Sequence, residues 1–408
     1  MNRINFFKLN QRLASIFAVL LGFSLAISTA FDTLFLVLLL ITAILGWCCQ
    51  YHRLVLQNSV AQAALLLFGV LLIGCFYGIN EPSAGLKVLT KYDDLILVVL
   101  LLPIFAQAQM RGFGQAAFMT AMALTLILSY LIWLGVFQHT ALFSSRLPSN
   151  PVVFKLQITH GILMGFAAFM FAVYAVNTAG KGRGLLVAAA ILATCNVLLM
   201  IQGRTGYLVL IALGIYLIVA LFHWRGLAFG LALIIVALAV AYTTSATLQT
   251  RVNLAIDEAQ TWQPMQGNNE HSSIGTRMDY YTNTIKIIQK NPLFGTGTGG
   301  FEAAYAKEIS GTAMAHSNNP HNQFLLFLAQ VGVIGLAAFL YLLWVAWREA
   351  TRLPTMTETM LARGLLITIT TGCLFNSLLL DHTEGLFFAW FCGLLFAGLP
   401  TNQKVTTV

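Results

Sequence analysis

Apolar residues fall in long runs with few charges, each approaching the roughly 20 residues that a helix needs to cross a bilayer. The runs predict helices over 13–30, 33–50, 61–80, 86–106, 114–137, 157–177, 184–201, 206–222, 226–242, 322–347, 361–380 and 383–400. The polar segment 243–321 interrupts them and reads as helical in pieces. From Leu248 to Trp262 the apolar positions are Val252, Ile256 and Ala259, with Asp257 and Glu258 turned away. From Ser273 to Lys290, Met278, Tyr281, Ile285 and Ile288 keep helical spacing, and Asn291-Pro292 ends the helix. A third piece, Gly300 to Ile309, follows a glycine-rich turn. The pattern predicts an all-α polytopic membrane protein of about 12 transmembrane helices. Helices one to nine occupy 1–242, the helical loop 243–321, and helices ten to twelve 322–408. The loop helices are expected to lie over the bundle as a cap on a cavity.

Composition excludes the soluble alternatives. Of 408 residues 58% are hydrophobic and 9% charged, against roughly 25% charged in an average soluble domain. The six cysteines, Cys48, Cys49, Cys75, Cys195, Cys373 and Cys392, sit in or beside apolar runs without metal or disulfide spacing. Ser28-Thr29-Ala30 resembles a signal-peptidase site, but a second apolar run follows at once, which favours an uncleaved first helix. Twelve spans put both termini on one side. With Arg3, Lys8 and Arg12, that side collects Arg53, Arg111, Lys181, Arg183, Arg225, Arg348, Arg352, Arg363 and Lys404 against only Glu349 and Glu358. The positive-inside rule makes it cytoplasmic. The net +8 is therefore a topology signal and implies no nucleic-acid partner. The loop 243–321, the segments 81–92 and 138–156, and the turns 202–205 and 381–384 then face away from the cytoplasm. Chemistry there has neither ATP nor nucleotide sugars, so a substrate must arrive already activated.

Several polar motifs are candidates for that chemistry. Gly295-Thr296-Gly297-Thr298-Gly299-Gly300 lacks the strand context of a dinucleotide loop and reads as a hinge or a close backbone approach. Asp93 and Asp94 suggest a metal, but they point about 100° apart on a helix and do not converge on one ion unaided; the alternative is ion pairing with Lys87 or Lys91. Lys87 and Lys91, four apart on one face, suit an anion such as a diphosphate. Arg204 lies in the tight turn Gln202-Gly203-Arg204-Thr205-Gly206, where it either meets an anionic partner or snorkels to water. Arg277 is either an anion contact or a surface arginine paired with Asp279 or Asp257. Asn319 and Pro320 read as the cap and first residue of a helix, which puts His321 in its first turn, where the dipole disfavours imidazolium. A neutral imidazole there can take a proton from a hydroxyl. His316, His160 and His382 are alternative bases.

Three segments, Asn291-Pro292-Leu293-Phe294-Gly295-Thr296-Gly297, Pro320-His321-Asn322-Gln323-Phe324-Leu325 and Gly332-Val333-Ile334-Gly335-Leu336, resemble the O-antigen ligase/polymerase superfamily. The Gly203-Arg204-Thr205-Gly206 turn is similar to that family's arginine turn. The length, the loop position and the late Leu380-Asp381-His382-Thr383-Glu384-Gly385 turn resemble the ligases of lipopolysaccharide biosynthesis. The resemblance implies a GT-C-like membrane glycosyltransferase in the bacterial inner membrane. Its donor would be a glycan on undecaprenyl diphosphate and its acceptor a sugar of lipid A–core, joined at the periplasmic face. The family's reaction inverts the anomeric centre and uses no metal or other cofactor. Its essential residues carry over to Arg204, Arg277 and His321. Lys87, Lys91, Asn322, His316 and Arg146 are further candidate substrate contacts. A polymerase or oligosaccharyltransferase would share the donor, and a lipid-linked glycan transporter is the reading from another class. The polar signals cluster on one face and the halves show no clear repeat, which favours an interfacial enzyme.

Overall fold

The apolar runs fold as helices, and no strand occurs among the described residues, which in this computed structural model are 3–46, 56–136, 149–263 and 272–400. Arg53, Arg146, Lys404, Cys48 and Cys49 lie outside them. Among the described residues seven helices are long and apolar enough to cross a membrane: Phe6–Ser24, Ala108–Trp133, Gln157–Val176, Lys181–Met200, Arg204–His223, Gly226–Thr244 and Gln323–Arg352. Thr29–Leu45 and Ser59–Gly74 are shorter apolar helices. The chain is a multi-pass membrane protein.

The expected dozen full-length helices differ from these seven because several runs are interrupted. The run 86–106 holds two short helices, Pro82–Leu89 and Asp94–Leu101, joined by the 3₁₀ turn Thr90–Tyr92. The run 361–380 ends as a helix at Cys373 and continues into the turn Leu378–Leu380. The last helix, His382–Phe396, has 15 residues. After its polar first turn, His382-Thr383-Glu384, it is apolar all round from Gly385 on, and such a stretch is a core element. Phe387, Trp390 and Phe391 are fully buried with Phe118 and Phe166. Phe391 lies with ring centroids 5.0 Å from Phe118, 5.0 Å from Phe166 and 4.9 Å from Trp390. The Trp390 indole N–H donates to the Ala18 carbonyl at 2.8 Å, and Gly22 leaves room for its ring. The Gln157–Val176 helix is likewise central, 78% buried over its apolar window, whereas Gly226–Thr244 is 12% buried and lies at the periphery.

Two ion pairs lie inside the bundle, where an isolated charge is costly. Arg111 meets Glu358 at 2.6 Å, and Lys155 meets Asp32 at 3.2 Å with further bonds to Thr383 and from Ser24.

The Gln323–Glu349 helix is broken at Val331 and Gly332, where φ of Gly332 is 64°. A break frees backbone groups that lipid cannot satisfy. The glycine-rich loop supplies the partners. Thr296 N and Gly297 N donate to the Ala329 and Gln330 carbonyls, both at 2.8 Å, and Val333 N donates to Pro292 O at 2.9 Å. On its other side, Thr298 donates through N to Gly74 O at 2.8 Å and through Oγ1 to Leu71 O at 2.7 Å. The loop is therefore a wedge between two helices. Its glycines permit the contact: a Cβ on Gly332 would lie 2.1 Å from Leu293 O, and one on Gly297 2.2 Å from Tyr77 O.

Gly332→Ala combines a left-handed φ with a clash against unyielding backbone. It should cost at least about 2 kcal/mol and lower the unfolding temperature in detergent. Gly69→Ala, with nothing within 4 Å, should stay within about 0.5 kcal/mol of wild type. Equal melting of the two variants would show that the wedge does not hold the break.

Candidate active site

The glycines around Arg204 set its position. Helices Gln157–Val176 and Arg204–Thr244 meet so closely that a Cβ on Gly203 would lie 2.6 Å from Gln157 O, and one on Gly206 2.9 Å from Gly161 Cα. Arg204 is the first helical residue after this contact. Its Nη1 pairs with Glu258 Oε2 at 3.2 Å, the Arg204 side chain being 22% exposed and Glu258 8%. Glu258 is on the Ala246–Thr261 helix. This corrects the expectation that Glu258 turns away with Asp257. The hydrophobic pattern there is weak, and ion pairing decides the helix rotation: Glu258 is buried while Ile256 is 51% exposed.

Arg277 is on the Ser273–Lys290 helix, capped by Ser272 Oγ accepting from Gly275 N at 2.9 Å. The same Glu258 Oε2 accepts from Ile274 N at 3.1 Å, which ties the start of this helix to Arg204. Trp262 donates to Asp279 Oδ1 at 3.0 Å and holds the two loop helices together. Arg277 Nη2 reaches Asn376 Oδ1 at 3.4 Å, and Asn376 Nδ2 donates to Thr205 Oγ1 at 2.9 Å. One buried amide thus joins the two arginine-bearing helices. Burial lowers the Arg277 pKa; Arg204 adds to the shift, while Tyr281 and Glu258 oppose it. A guanidinium stays protonated through such a shift.

His321 precedes the helix instead of lying in its first turn. The cap is Asn322, whose Oδ1 accepts from Leu325 N at 3.0 Å, so the helix starts at Gln323. Asn319 is consumed elsewhere: its Oδ1 accepts from His321 N at 2.8 Å and from Ser377 Oγ at 2.6 Å. His321 consequently takes φ 54°. Left-handed conformations are enriched in His among non-glycine residues, and such strain clusters at functional sites. Its ring stacks on Tyr280 with centroids 5.8 Å apart and planes 25° apart. Burial, then the positive charge of Arg277, lower its pKa.

The turn after Cys373 holds these pieces together. Leu374 O accepts from Asn322 Nδ2 at 2.9 Å and lies 3.3 Å from the Tyr281 hydroxyl, which is also 3.3 Å from His321 O. Ser377 binds Asn319, and Leu379 N donates to Gln323 Oε1 at 3.0 Å. Arg204, Arg277 and His321, spread over 118 positions of sequence by their numbering, are thereby linked through Glu258, Asn376 and Tyr281.

Other candidates sit elsewhere. His160 is buried and paired with Asn196 at 3.1 Å, a structural role. His316 and His382 are exposed. Lys87 and Lys91 are exposed, and Lys91 acts electrostatically on Asp381. Asn322 is at the site as a cap. Asp93 is exposed, whereas Asp94 is buried against Gly385. Sequence reasoning missed Glu258, Tyr280 and Asn376. Asn376 could have been found as an amide inside an apolar run; Glu258 carried no signal that set it apart from Asp257.

The fold and site define a multi-pass membrane protein with a basic, histidine-containing polar site at one end of its bundle. Residues 187–340, which include Arg204, Arg277 and His321, match the family model described as O-antigen ligase. The chain is also 26% identical over 100 residues to an uncharacterized protein of Haemophilus influenzae, a match covering 24% of this chain and 25% of that protein. The matched region spans about a quarter of that relative.

Diethyl pyrocarbonate modifies neutral imidazole. The rate of His321 modification, read by mass spectrometry against pH, should have its midpoint below the ordinary value of about 6.5. Arg277→Gln removes a positive charge that disfavours imidazolium, so the midpoint should rise. A wild-type midpoint at or above 6.5, or no rise in the variant, would refute the electrostatic linkage.

Proposed function

We propose that the protein is an O-antigen ligase of GT-C-like architecture with 12 transmembrane crossings. It transfers a glycan en bloc from undecaprenyl diphosphate to a lipid A–core sugar. The observation that carries this reading is the convergence of Arg204, Arg277 and His321 from three separate segments of the family-matched region. In this reading the loop 243–321 is periplasmic, both termini are cytoplasmic, and the membrane is the bacterial inner membrane, in keeping with the positive-inside distribution.

Two arginines can hold a diphosphate bidentately and stabilise the charge that grows on it as the bond from the anomeric carbon to the diphosphate oxygen breaks. The acceptor hydroxyl oxygen forms the new bond to that carbon and gives its proton to the His321 imidazole. The electron pair of the broken bond leaves with undecaprenyl diphosphate. One displacement inverts the anomeric centre, and no covalent nucleophile is needed. The depressed basicity of His321 keeps it neutral near pH 7 and ready to accept the proton. Lys87 and Lys91 are positioned as exposed cations for the diphosphate or headgroups outside this centre, with His316 and Asn322 as acceptor contacts.

The test is reconstitution of the purified protein with undecaprenyl diphosphate-linked glycan and lipid A–core. Glycan-capped lipid A–core with an inverted linkage is the expected product. Arg204→Ala, Arg277→Ala and His321→Ala should each lower the rate by about 10²–10³ with normal membrane insertion. A lengthening lipid-linked ladder with unmodified core would make the protein a polymerase, and wild-type rates in a variant would remove that residue from the chemistry.

A further inference from the structure

Two guanidinium groups that act on each other electrostatically at a half-buried site repel, and the repulsion is tolerable only beside an anion. Here that anion is Glu258. Its carboxylate touches Arg204 at 3.2 Å, also acts on Arg277, and accepts the Ile274 amide at 3.1 Å. The carboxylate is buried, so its charge is poorly screened. An incoming diphosphate must either displace it from Arg204 or share the guanidinium with a like charge.

We propose that Glu258 is a resident counter-anion that occupies Arg204 between turnovers and competes with the diphosphate, so that it lowers affinity for the donor and speeds release of the lipid diphosphate product. The inference rests on the diphosphate reading of the Arg204–Arg277 pair. Glu258 is a positioning residue and acts through Arg204. Exchange of one anion for another keeps the arginine pair neutralised at every stage of the cycle. It also ties departure of the product to re-formation of the Arg204–Glu258 pair, which restores the link from Arg204 to the first turn of the Arg277 helix.

Glu258→Gln separates the charge from the scaffold, because the amide oxygen still accepts from Ile274 N. The measurement is binding of undecaprenyl diphosphate to the full-length protein in detergent micelles, for wild type, Glu258→Gln, Arg204→Gln and the double variant. Glu258→Gln should bind roughly tenfold tighter, the scale expected for removing a like charge a few ångströms from a partly buried anion. In the Arg204→Gln background the same change should give little gain, since the competition is for Arg204. In turnover, Glu258→Gln should lower the donor KM and, where product release limits the rate, kcat as well, with the acceptor KM unmoved. Wild-type binding with equal or weaker binding by Glu258→Gln, or an equal gain without Arg204, would overturn the proposal while leaving the diphosphate reading intact. Folded wild type and Glu258→Gln that both fail to bind would overturn that reading and this proposal together.

Discussion

Backbone that leaves the helix at membrane depth must find hydrogen-bond partners inside the protein, because lipid offers none. Two such breaks lie beside the site, and the site is organised around both. At Val331–Gly332 the freed groups draw in the loop 292–298, which pins the end of the Ser273–Lys290 helix and the start of Phe301–Glu308 against the bundle. After Cys373 the turn through Leu379 offers its carbonyls, amides and side chains to Asn319, Asn322, Gln323, Tyr281 and Arg277. Ordering a polar loop over a membrane bundle opposes chain entropy; here the ordering coincides with satisfying groups that would otherwise be orphaned.

Charge adds the second constraint. Gly203, Gly206 and Gly161 fix Arg204 against the Gln157–Val176 helix, and Glu258 and Asn376 tie the Arg277 helix to it, so the repulsion of the two arginines is built into the fold. Glu258 and Asn376 answer it. A polyanionic substrate group answers it better, and that preference is the physical root of the proposed activity. His321, held outside the helix by Asn319 and stacked on Tyr280, presents a neutral imidazole beside the same charges.

Much of this was legible in the sequence, for local reasons. The apolar runs mark helices because burial or lipid contact dictates their composition. The bounds of Ser273–Lys290 were legible because Asn291-Pro292 ends it, but its expected apolar face was not the buried one: Gly275, Asp279, Asn283, Thr284 and Ile287 are buried and Ile285 is exposed. The Gly-flanked turn marks Arg204 because only glycine permits that helix contact. What stayed hidden depends on tertiary partners. The breaks in the runs 86–106 and 361–380 fall on polar residues, Thr90-Lys91-Tyr92 with Asp93 and Asp94 in the first and Asn376-Ser377 in the second; a window-averaged reading of apolar content passes over such short polar stretches. Asn319 reads as the cap from sequence, but Ser377 and the His321 amide claim it, and Asn322 caps the helix instead. The inward turn of Glu258 follows from Arg204, 54 residues away.

The most direct test is a structure of the protein in lipid nanodiscs with undecaprenyl diphosphate bound. The account predicts diphosphate density bridging the Arg204 and Arg277 guanidinium groups, with His321 facing the lipid-distal phosphate. A diphosphate seated on Lys87 and Lys91, with Arg204 still on Glu258 and Arg277 still on Asn376, would contradict it.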